Sequence, residues 1–264
     1  MTNLKNRAFF RRDGDWLVGN DAARGPWSEH HCHAGPVAAI VAGAAEQAVR
    51  DKQLVRVTAS FYRPVPISGF VVSVEIPRNG RVATTARITL ADRDGKVVVS
   101  AECLLLETLA PLPVDSTHIA GPDIDAATPG TFGVQDVFHD KPFFGNCVEV
   151  AYPPGENGEP GPTTIWMRTP PIIEGEAASP FQRLCPLADC ANGYSRNSEF
   201  TRISCVNPDL TISVFRLPES AWIAGKGHSI WQSNGLGLTE ATLFDEFGAV
   251  GSALQTLVLR SIES

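Results

Sequence analysis

Asp189 is a candidate general base because it lies in an apolar stretch of the chain. Its neighbours are Leu187, Ala188, Cys190 and Ala191. A carboxylate in such surroundings is suited to taking a proton from water near neutral pH. Asp is also a favoured first residue of a helix, where its side chain caps backbone N–H groups. Both interpretations, general base and helix cap, are open on the sequence.

Gln255 is a second candidate because it interrupts a segment that is otherwise suited to burial. Residues 253–259 read Ala-Leu-Gln-Thr-Leu-Val-Leu. A buried amide needs hydrogen-bond partners, so Gln255 either belongs to a site or is bonded to backbone.

Signatures of several other chemistries are missing from the chain. It has no Gly-x-Ser-x-Gly nucleophile elbow, no Gly-x-x-x-x-Gly-Lys-Ser/Thr phosphate loop and no His-Glu-x-x-His zinc helix. The run from His30 to His33 could suggest a metal, but four adjacent residues cannot all point at one ion. We interpret the run as a polar loop that leads into a helix, and we expect no metal and no other cofactor.

Composition narrows the class of protein. The 264 residues are 43% hydrophobic and 19% charged, as in globular proteins, and no apolar run is long enough for a membrane span. A net charge of −7 argues against a nucleic-acid partner. The first residues lack the apolar core of a signal peptide, and the six cysteines include no Cys-x-x-Cys pair. These features predict a cytoplasmic protein with free thiols.

An internal repeat determines the expected architecture. Residues 33–106 align with residues 186–259 at a constant shift of 153 positions, without a gap. Residues 89–97 fall on 242–250, with Thr, Leu, Asp, Gly and Val identical at matching places. A repeat of this length indicates two copies of one domain in a single chain. The alignment pairs Gln255 with Glu102 and Asp189 with Pro36, which predicts that only one half keeps a full active site.

The pattern within each half predicts a helix followed by antiparallel strands. Residues 35–50 are small and apolar with Pro near the start, which predicts a helix buried on most sides. A shorter helix is expected around 186–194. Strands are predicted at 54–62, 70–76, 81–90, 96–106, 209–216, 222–229, 237–244 and 249–260.

This layout belongs to the α+β class, with each central helix wrapped by an antiparallel sheet. We expect an N-terminal domain over residues 1–108, a Pro- and Gly-rich linker over 109–142 and a C-terminal domain over 143–264. The two sheets are expected to join as a pseudo-dimer.

Several motifs resemble the bacterial acyl-CoA thioesterase II family and its thioesterase-like relatives, whose fold is the double hotdog. The motifs are Gly25-Pro26-Trp27, His33-Ala34-Gly35-Pro36, Phe61-Tyr62-Arg63-Pro64, Arg78-Asn79-Gly80-Arg81, Leu187-Ala188-Asp189, Asn207-Pro208-Asp209-Leu210-Thr211 with Arg216, Trp222-Ile223, and Ala253-Leu254-Gln255-Thr256. The resemblance covers most of the chain apart from the linker.

The resemblance implies hydrolysis of an acyl-CoA thioester by an activated water, without a metal or a covalent intermediate. An Asp, a Ser or Thr and a Gln of the second hotdog hold this water in the family. The Asp corresponds to Asp189 and the Gln to Gln255, while Asn207 occupies the hydroxyl position. An amide can also hydrogen-bond a water, so Asn207 is compatible with activity.

Three further residues are candidates for substrate binding. Backbone amides near Gly35 could polarise the thioester oxygen, as helix N-termini do for anions, or Gly35 could serve only close packing. Arg78 and Arg81 could meet CoA phosphates, or they are plain solvated charge.

Two rival functions and the oligomeric state remain open on the sequence. A hotdog enoyl-CoA hydratase or dehydratase usually needs an Asp and a His close together on the active helix, and no His lies in 187–194. A non-catalytic acyl-CoA binding protein is the other rival, with Asn207 as the mark of lost activity. The pseudo-dimers could pair further into a homo-oligomer, a dimer of double hotdogs.

Overall fold

The structure is a computed structural model that describes residues 8–133 and 139–262. The predicted limits of both domains at residues 1 and 264, and part of the predicted linker, lie outside this range. The domain boundaries themselves stay a prediction.

The described residues form four α-helices, one short 3-10 helix at Asp21–Ala23 and fourteen strands. The helices are α1 (Ala34–Ala48), α2 (Phe144–Cys147), α3 (Pro180–Asp189) and α4 (Ala191–Tyr194). The strands are β1 (Phe10–Asp13), β2 (Trp16–Gly19), β3 (Gln53–Phe61), β4 (Val71–Asn79), β5 (Ala83–Ala91), β6 (Val97–Leu106), β7 (Thr128–Gly130), β8 (Glu149–Tyr152), β9 (Thr163–Arg168), β10 (Ile203–Val206), β11 (Asp209–Val214), β12 (Ile223–Trp231), β13 (Leu236–Asp245) and β14 (Gly248–Ser261).

One antiparallel sheet runs through both halves of the chain. Its order is β4-β5-β6-β3-β11-β14-β13-β12-β9-β8-β7, with β10 paired to β14 beside β11. The halves join where β3 pairs with β11, and Thr58 lies opposite Thr211 in that register. Their hydroxyl oxygens are 3.3 Å apart and their positions differ by 153, so the repeat axis passes between them. The predicted α+β double hotdog is confirmed.

The strands follow the repeat closely. Each of the eight strands expected from the sequence forms within three residues of its predicted limits. Arg63 and Arg216 also occupy matching places. Arg63 follows β3 and donates to the Val97 carbonyl of β6 at 2.9 Å, and Arg216 follows β11 and donates to the Ala249 carbonyl of β14 at 3.0 Å. The short strands β7, β8 and β9 extend the second half of the sheet and have no predicted counterpart; β7 lies inside the expected linker.

The helices do not follow the gapless repeat. The second helical segment begins at Pro180, because Ser179 caps it and forms a capping box with Gln182. It runs through α3 and α4 over 180–194, so it matches α1, over 34–48, at a shift of 146 residues. The expected pairing of Asp189 with Pro36 is therefore wrong, and the structural counterpart of Asp189 is Gly43. The seven additional residues lie between α4 and β11.

α1 and α3 pack side by side in the middle of the molecule. α1 is buried along most of its length, as its small apolar residues predict. The helices are antiparallel, since Gly35 at the start of α1 lies against Asp189 at the end of α3, while Gly43 lies against Gln182 near its start. Each helix therefore begins beside the end of the other.

Candidate active site

Asp189 is the last residue of α3 and lies beside the start of α1. The alternative that Asp189 only caps the start of a helix is wrong, because Ser179 caps α3 and Asp189 ends it. The Asp189 side chain is only 3% exposed. Burial of a carboxylate is costly unless donors surround it, so its partners define the site.

Asn207 and Gln255 both reach Asp189. The Asn207 amide donates to Asp189 Oδ1 at 2.9 Å and to the Asp209 carbonyl at 3.0 Å. The Gln255 amide donates to the Asp189 main-chain oxygen at 2.9 Å and lies 3.4 Å from Oδ1. The structure thus brings together the three residues that the sequence assigns to catalysis.

Gln255 contacts the site from the interior of the protein. Its side chain is fully buried on β14, and its Oε1 accepts the Asn192 N–H at 3.1 Å. The Asn192 side chain in turn donates to the Cys205 carbonyl at 3.2 Å and lies 3.5 Å from Asn207 Oδ1. Asn192 is a residue that sequence reasoning missed, because its position depends on where α4 begins.

His33 approaches Asp189 from the other half of the chain. Its Nδ1 lies 3.0 Å from Asp189 Oδ2, and the ring stacks on Phe144 with centroids 4.2 Å apart and an interplanar angle of 17°. The His30–His33 run leads into α1 as the sequence predicts, and the contact of His33 with Asp189 is one that sequence reasoning missed. The place of His33 immediately before a buried helix is a signal that could have singled it out.

A cavity of about 430 Å³ opens between the halves at this point. Its polar lining includes His33, Asp189, Asn192 and Asn207. Its remaining wall is largely aromatic and apolar, and includes Trp27, Phe61, Phe132, Phe200 and Val258. An apolar cavity with a few convergent polar groups is the usual form of a small-molecule site.

The three thiols at the cavity, Cys32, Cys190 and Cys205, are not suited to nucleophilic attack. Burial raises the pKa of Cys32 to about 12, although Arg24 opposes the shift. Burial, with a contribution from the Asp189 charge, raises the pKa of Cys190 well above its ordinary value. Burial likewise raises the pKa of Cys205 to about 12, with Arg196 opposing the shift. All three therefore stay protonated near neutral pH, and a thiol is a much weaker nucleophile than a thiolate.

The three proposed substrate-binding residues occupy different places. Gly35 is packed so closely that an added Cβ would lie 2.8 Å from the Pro186 main chain, and its backbone nitrogen lies 3.2 Å from His33 Nδ1. Arg78 is the next-to-last residue of β4, and Arg81 is an exposed turn residue whose guanidinium lies 3.6 Å from Glu107. The cavity lies near Phe61, whereas Arg81 lies near the other end of β3, about one strand length away.

Comparison with known proteins identifies the family. The model of the acyl-CoA thioesterase N-terminal domain matches residues 23–106, and that of the C-terminal domain matches residues 120–259. The chain belongs to the acyl-CoA thioesterase family. Its reaction class is thioester hydrolysis, and the family implies an acyl-CoA substrate.

Solved structures share the fold of this thioesterase. A proposed thioesterase from Novosphingobium aromaticivorans DSM 12444 is 21% identical, with 96% of this chain and 98% of that chain covered and a TM-score of 0.75. A hot dog protein of unknown function from Alicyclobacillus acidocaldarius is 16% identical over 95% of each chain, with a TM-score of 0.70. An acyl-CoA thioesterase II from Mycobacterium marinum is 17% identical over 95% and 93%, with a TM-score of 0.64. No curated protein matches the chain.

The site of this thioesterase draws on both matched domains. His33 lies within the N-terminal match, while Asp189, Asn192, Asn207 and Gln255 lie within the C-terminal match.

Among the described residues, none of the helices has the length and apolar composition that a bilayer crossing requires.

Proposed function

We propose that the protein hydrolyses acyl-CoA thioesters with a water molecule that the Asp189 centre activates. The observation that carries this proposal is a nearly buried carboxylate at the wall of a cavity, held by the amides of Asn207 and Gln255. A buried negative charge that keeps a fixed position favours removal of a proton from an adjacent water.

The chemistry adds water across one bond. The water oxygen forms a bond to the thioester carbonyl carbon and gives up a proton to the Asp189 centre. The carbon–sulfur bond then breaks, its electron pair leaves with sulfur, and the proton passes to that sulfur to give free CoA thiol and a carboxylic acid. Asn207 and Gln255 hold the carboxylate, and the start of α1, with Ala34 at the cavity, is placed to polarise the carbonyl.

A thiol-release assay over acyl-CoAs of different chain length tests this proposal. Wild-type protein should release CoA thiol from at least one member of the panel, and Asn207→Thr should retain or raise that rate, because a hydroxyl can also donate to Asp189. Wild-type protein that binds acyl-CoA but releases no thiol from any member would contradict the proposal. Thiol release by Asn207→Thr alone would favour the non-catalytic binding protein.

The contact between His33 and Asp189 favours hydration of an enoyl-CoA as a second candidate. Sequence reasoning ranked it lower because no His lies near Asp189 in the chain, but His33 supplies that partner at 3.0 Å from the other half. Loss of the enoyl absorbance without thiol release would favour hydration, whereas thiol release at constant enoyl content would favour hydrolysis.

We also propose a cytoplasmic location, since all six cysteines are free thiols and such thiols persist in reducing compartments. A dimer of double hotdogs remains our proposal for the assembly. Light scattering at several protein concentrations tests it.

A further inference from the structure

We infer that His33 is a catalytic residue that receives the proton from the attacking water, with Asp189 behind it. This inference rests on the proposed function and specifies which atom accepts the proton. The geometry that carries it is the order of groups from the protein interior to the cavity: Gln255, Asp189, His33.

The Asp189 carboxylate has few acceptor sites left for a water. Oδ1 accepts from Asn207 at 2.9 Å and lies 3.4 Å from Gln255 Nε2, while Oδ2 lies 3.0 Å from His33 Nδ1. A carboxylate has about four lone-pair positions, so these donors take most of its capacity. With a side chain 3% exposed, Asp189 is better placed to hold a partner than to meet the substrate.

His33 is more open and points its second nitrogen away from Asp189. Its side chain is 13% exposed and lines the cavity. Nε2 lies 3.8 Å from Cys190 Sγ, but that thiol is 3.1 Å from the Pro186 carbonyl, to which it donates. The weakly bonding thiol therefore leaves the Nε2 lone pair free for a water in the cavity.

The protonation of the ring follows from its competing contacts. Nδ1 cannot both donate to Asp189 at 3.0 Å and accept from the Gly35 N–H at 3.2 Å. The Asp189 carboxylate lies within ion-pair distance of Nδ1, and a charged acceptor attracts an N–H more strongly than a neutral amide competes for the lone pair, so we place the proton on Nδ1. This tautomer puts the lone pair on Nε2, and stacking on Phe144 fixes the direction in which that nitrogen faces.

In the resulting step, water transfers a proton to His33 Nε2 as its oxygen bonds to the thioester carbon. The positive imidazolium lies against the Asp189 carboxylate, which stabilises it. When the carbon–sulfur bond breaks, Nε2 returns the proton to the departing sulfur. The net change is one water consumed and one thiol and one acid formed, with no other reactant.

Three variants test this role in the thiol-release assay with an acyl-CoA that the wild type hydrolyses. His33→Ala should lower kcat by about a hundredfold or more, and imidazole added to the buffer should restore part of it in proportion to its neutral form. His33→Asn keeps an amide donor near Asp189 and a good helix cap, but it has no second ring nitrogen, so it should lose activity equally. His30→Ala is the matched control, because His30 belongs to the same run, is 79% exposed and is not a cavity residue.

The outcomes separate this inference from the proposed function. Activity of His33→Asn within a few-fold of the wild type would overturn the inference, because the donor to Asp189 would then be the whole role of His33. Full activity of His33→Ala would overturn it as well. An inactive wild type would remove the proposed function and this inference together, whereas an active wild type with active His33 variants would remove the inference alone.

Discussion

The two ends of the α1–α3 pair are built alike, but the cavity of about 430 Å³ lies at the first of them and is not lined by the residues of the second. At the first end, His33 occupies the N-cap position of α1 and lies beside Asp189 of α3. At the second, Ser179 caps α3 and donates its hydroxyl to Glu46 of α1 at 2.6 Å. Each end therefore sets a capping residue against an acid on the last turns of the opposite helix.

The difference between the ends arises in the strands behind them. The first end has Asn207 and Gln255 directed at the acid, whereas the matching positions in the other half are Leu54 and Glu102. Leu54 is buried and offers no hydrogen bond, and Glu102 is an exposed residue 3.5 Å from Arg56. Burial raises the pKa of Glu46, with Ser179 opposing the shift. Among the described residues, the hydrogen bond to the Glu46 carboxylate comes from the Ser179 hydroxyl and not from a strand amide.

At the second end of the helix pair, a packed glutamine side chain takes the place of a site. Gln182 fills the space over Gly43, and its amide donates to the Ala39 carbonyl at 3.0 Å. At the first end the counterpart of Gly43 is Asp189, and its carboxylate lies in the corresponding space. One fold thus supports a packed polar contact at one end and a site at the other.

The largest difference in activity is expected between variants of Asp189 and of Glu46. Asp189→Asn should lower the rate of thiol release by about a hundredfold or more, because the negative charge that draws the proton from water is lost. Glu46→Gln should leave kcat within about twofold, since Glu46 lies at the opposite end of the helix pair. Equal losses in both variants, measured on folded protein, would mean that the ends do not differ in function.

Two glycines provide a stability test of the same comparison. In Gly35→Ala the new Cβ would meet the Pro186 main chain at 2.8 Å and Asp189 Cβ at 3.1 Å, so we expect a loss of about 1–3 kcal/mol and lower activity. In Gly43→Ala the new Cβ would meet the end of the Gln182 side chain, which can move at the cost of its bond to Ala39, while the helix gains about 0.5–1 kcal/mol in propensity, so we expect a smaller loss than in Gly35→Ala. Thermal unfolding of both variants measures the difference, and a more stable Gly35→Ala would refute the packing account.

The smallest expected effect concerns the support behind the site. Gln255→Leu leaves the buried Asn192 N–H without its acceptor, so stability should fall by about 1–3 kcal/mol and kcat should fall more than KM rises. The matching Glu102→Gln should change stability by less than about 0.5 kcal/mol, since Glu102 is exposed. An unchanged kcat in Gln255→Leu would show that Gln255 has no role in holding Asp189.

Sequence reasoning predicted the strands well, because turn residues and alternation repeat at one shift in both halves. It misplaced the start of the second helix, because the capping box of Ser179 and Gln182 begins that helix seven residues earlier than the repeat alignment predicts. It named Asp189, Asn207 and Gln255, each within the second half. The place of His33 before a buried helix could have marked it as a candidate, but its contact with Asp189 spans 156 positions and depends on how the halves are joined, so the sequence did not reveal that partner.

A crystal structure of the Asp189→Asn variant with an intact acyl-CoA tests the central claim most directly. The account predicts that the thioester carbon lies in the cavity beside His33 and Asn207, with a water about 3–3.5 Å from that carbon and in contact with the His33 ring. A thioester bound at the Ser179–Glu46 end, or on the sheet surface away from His33, would contradict it.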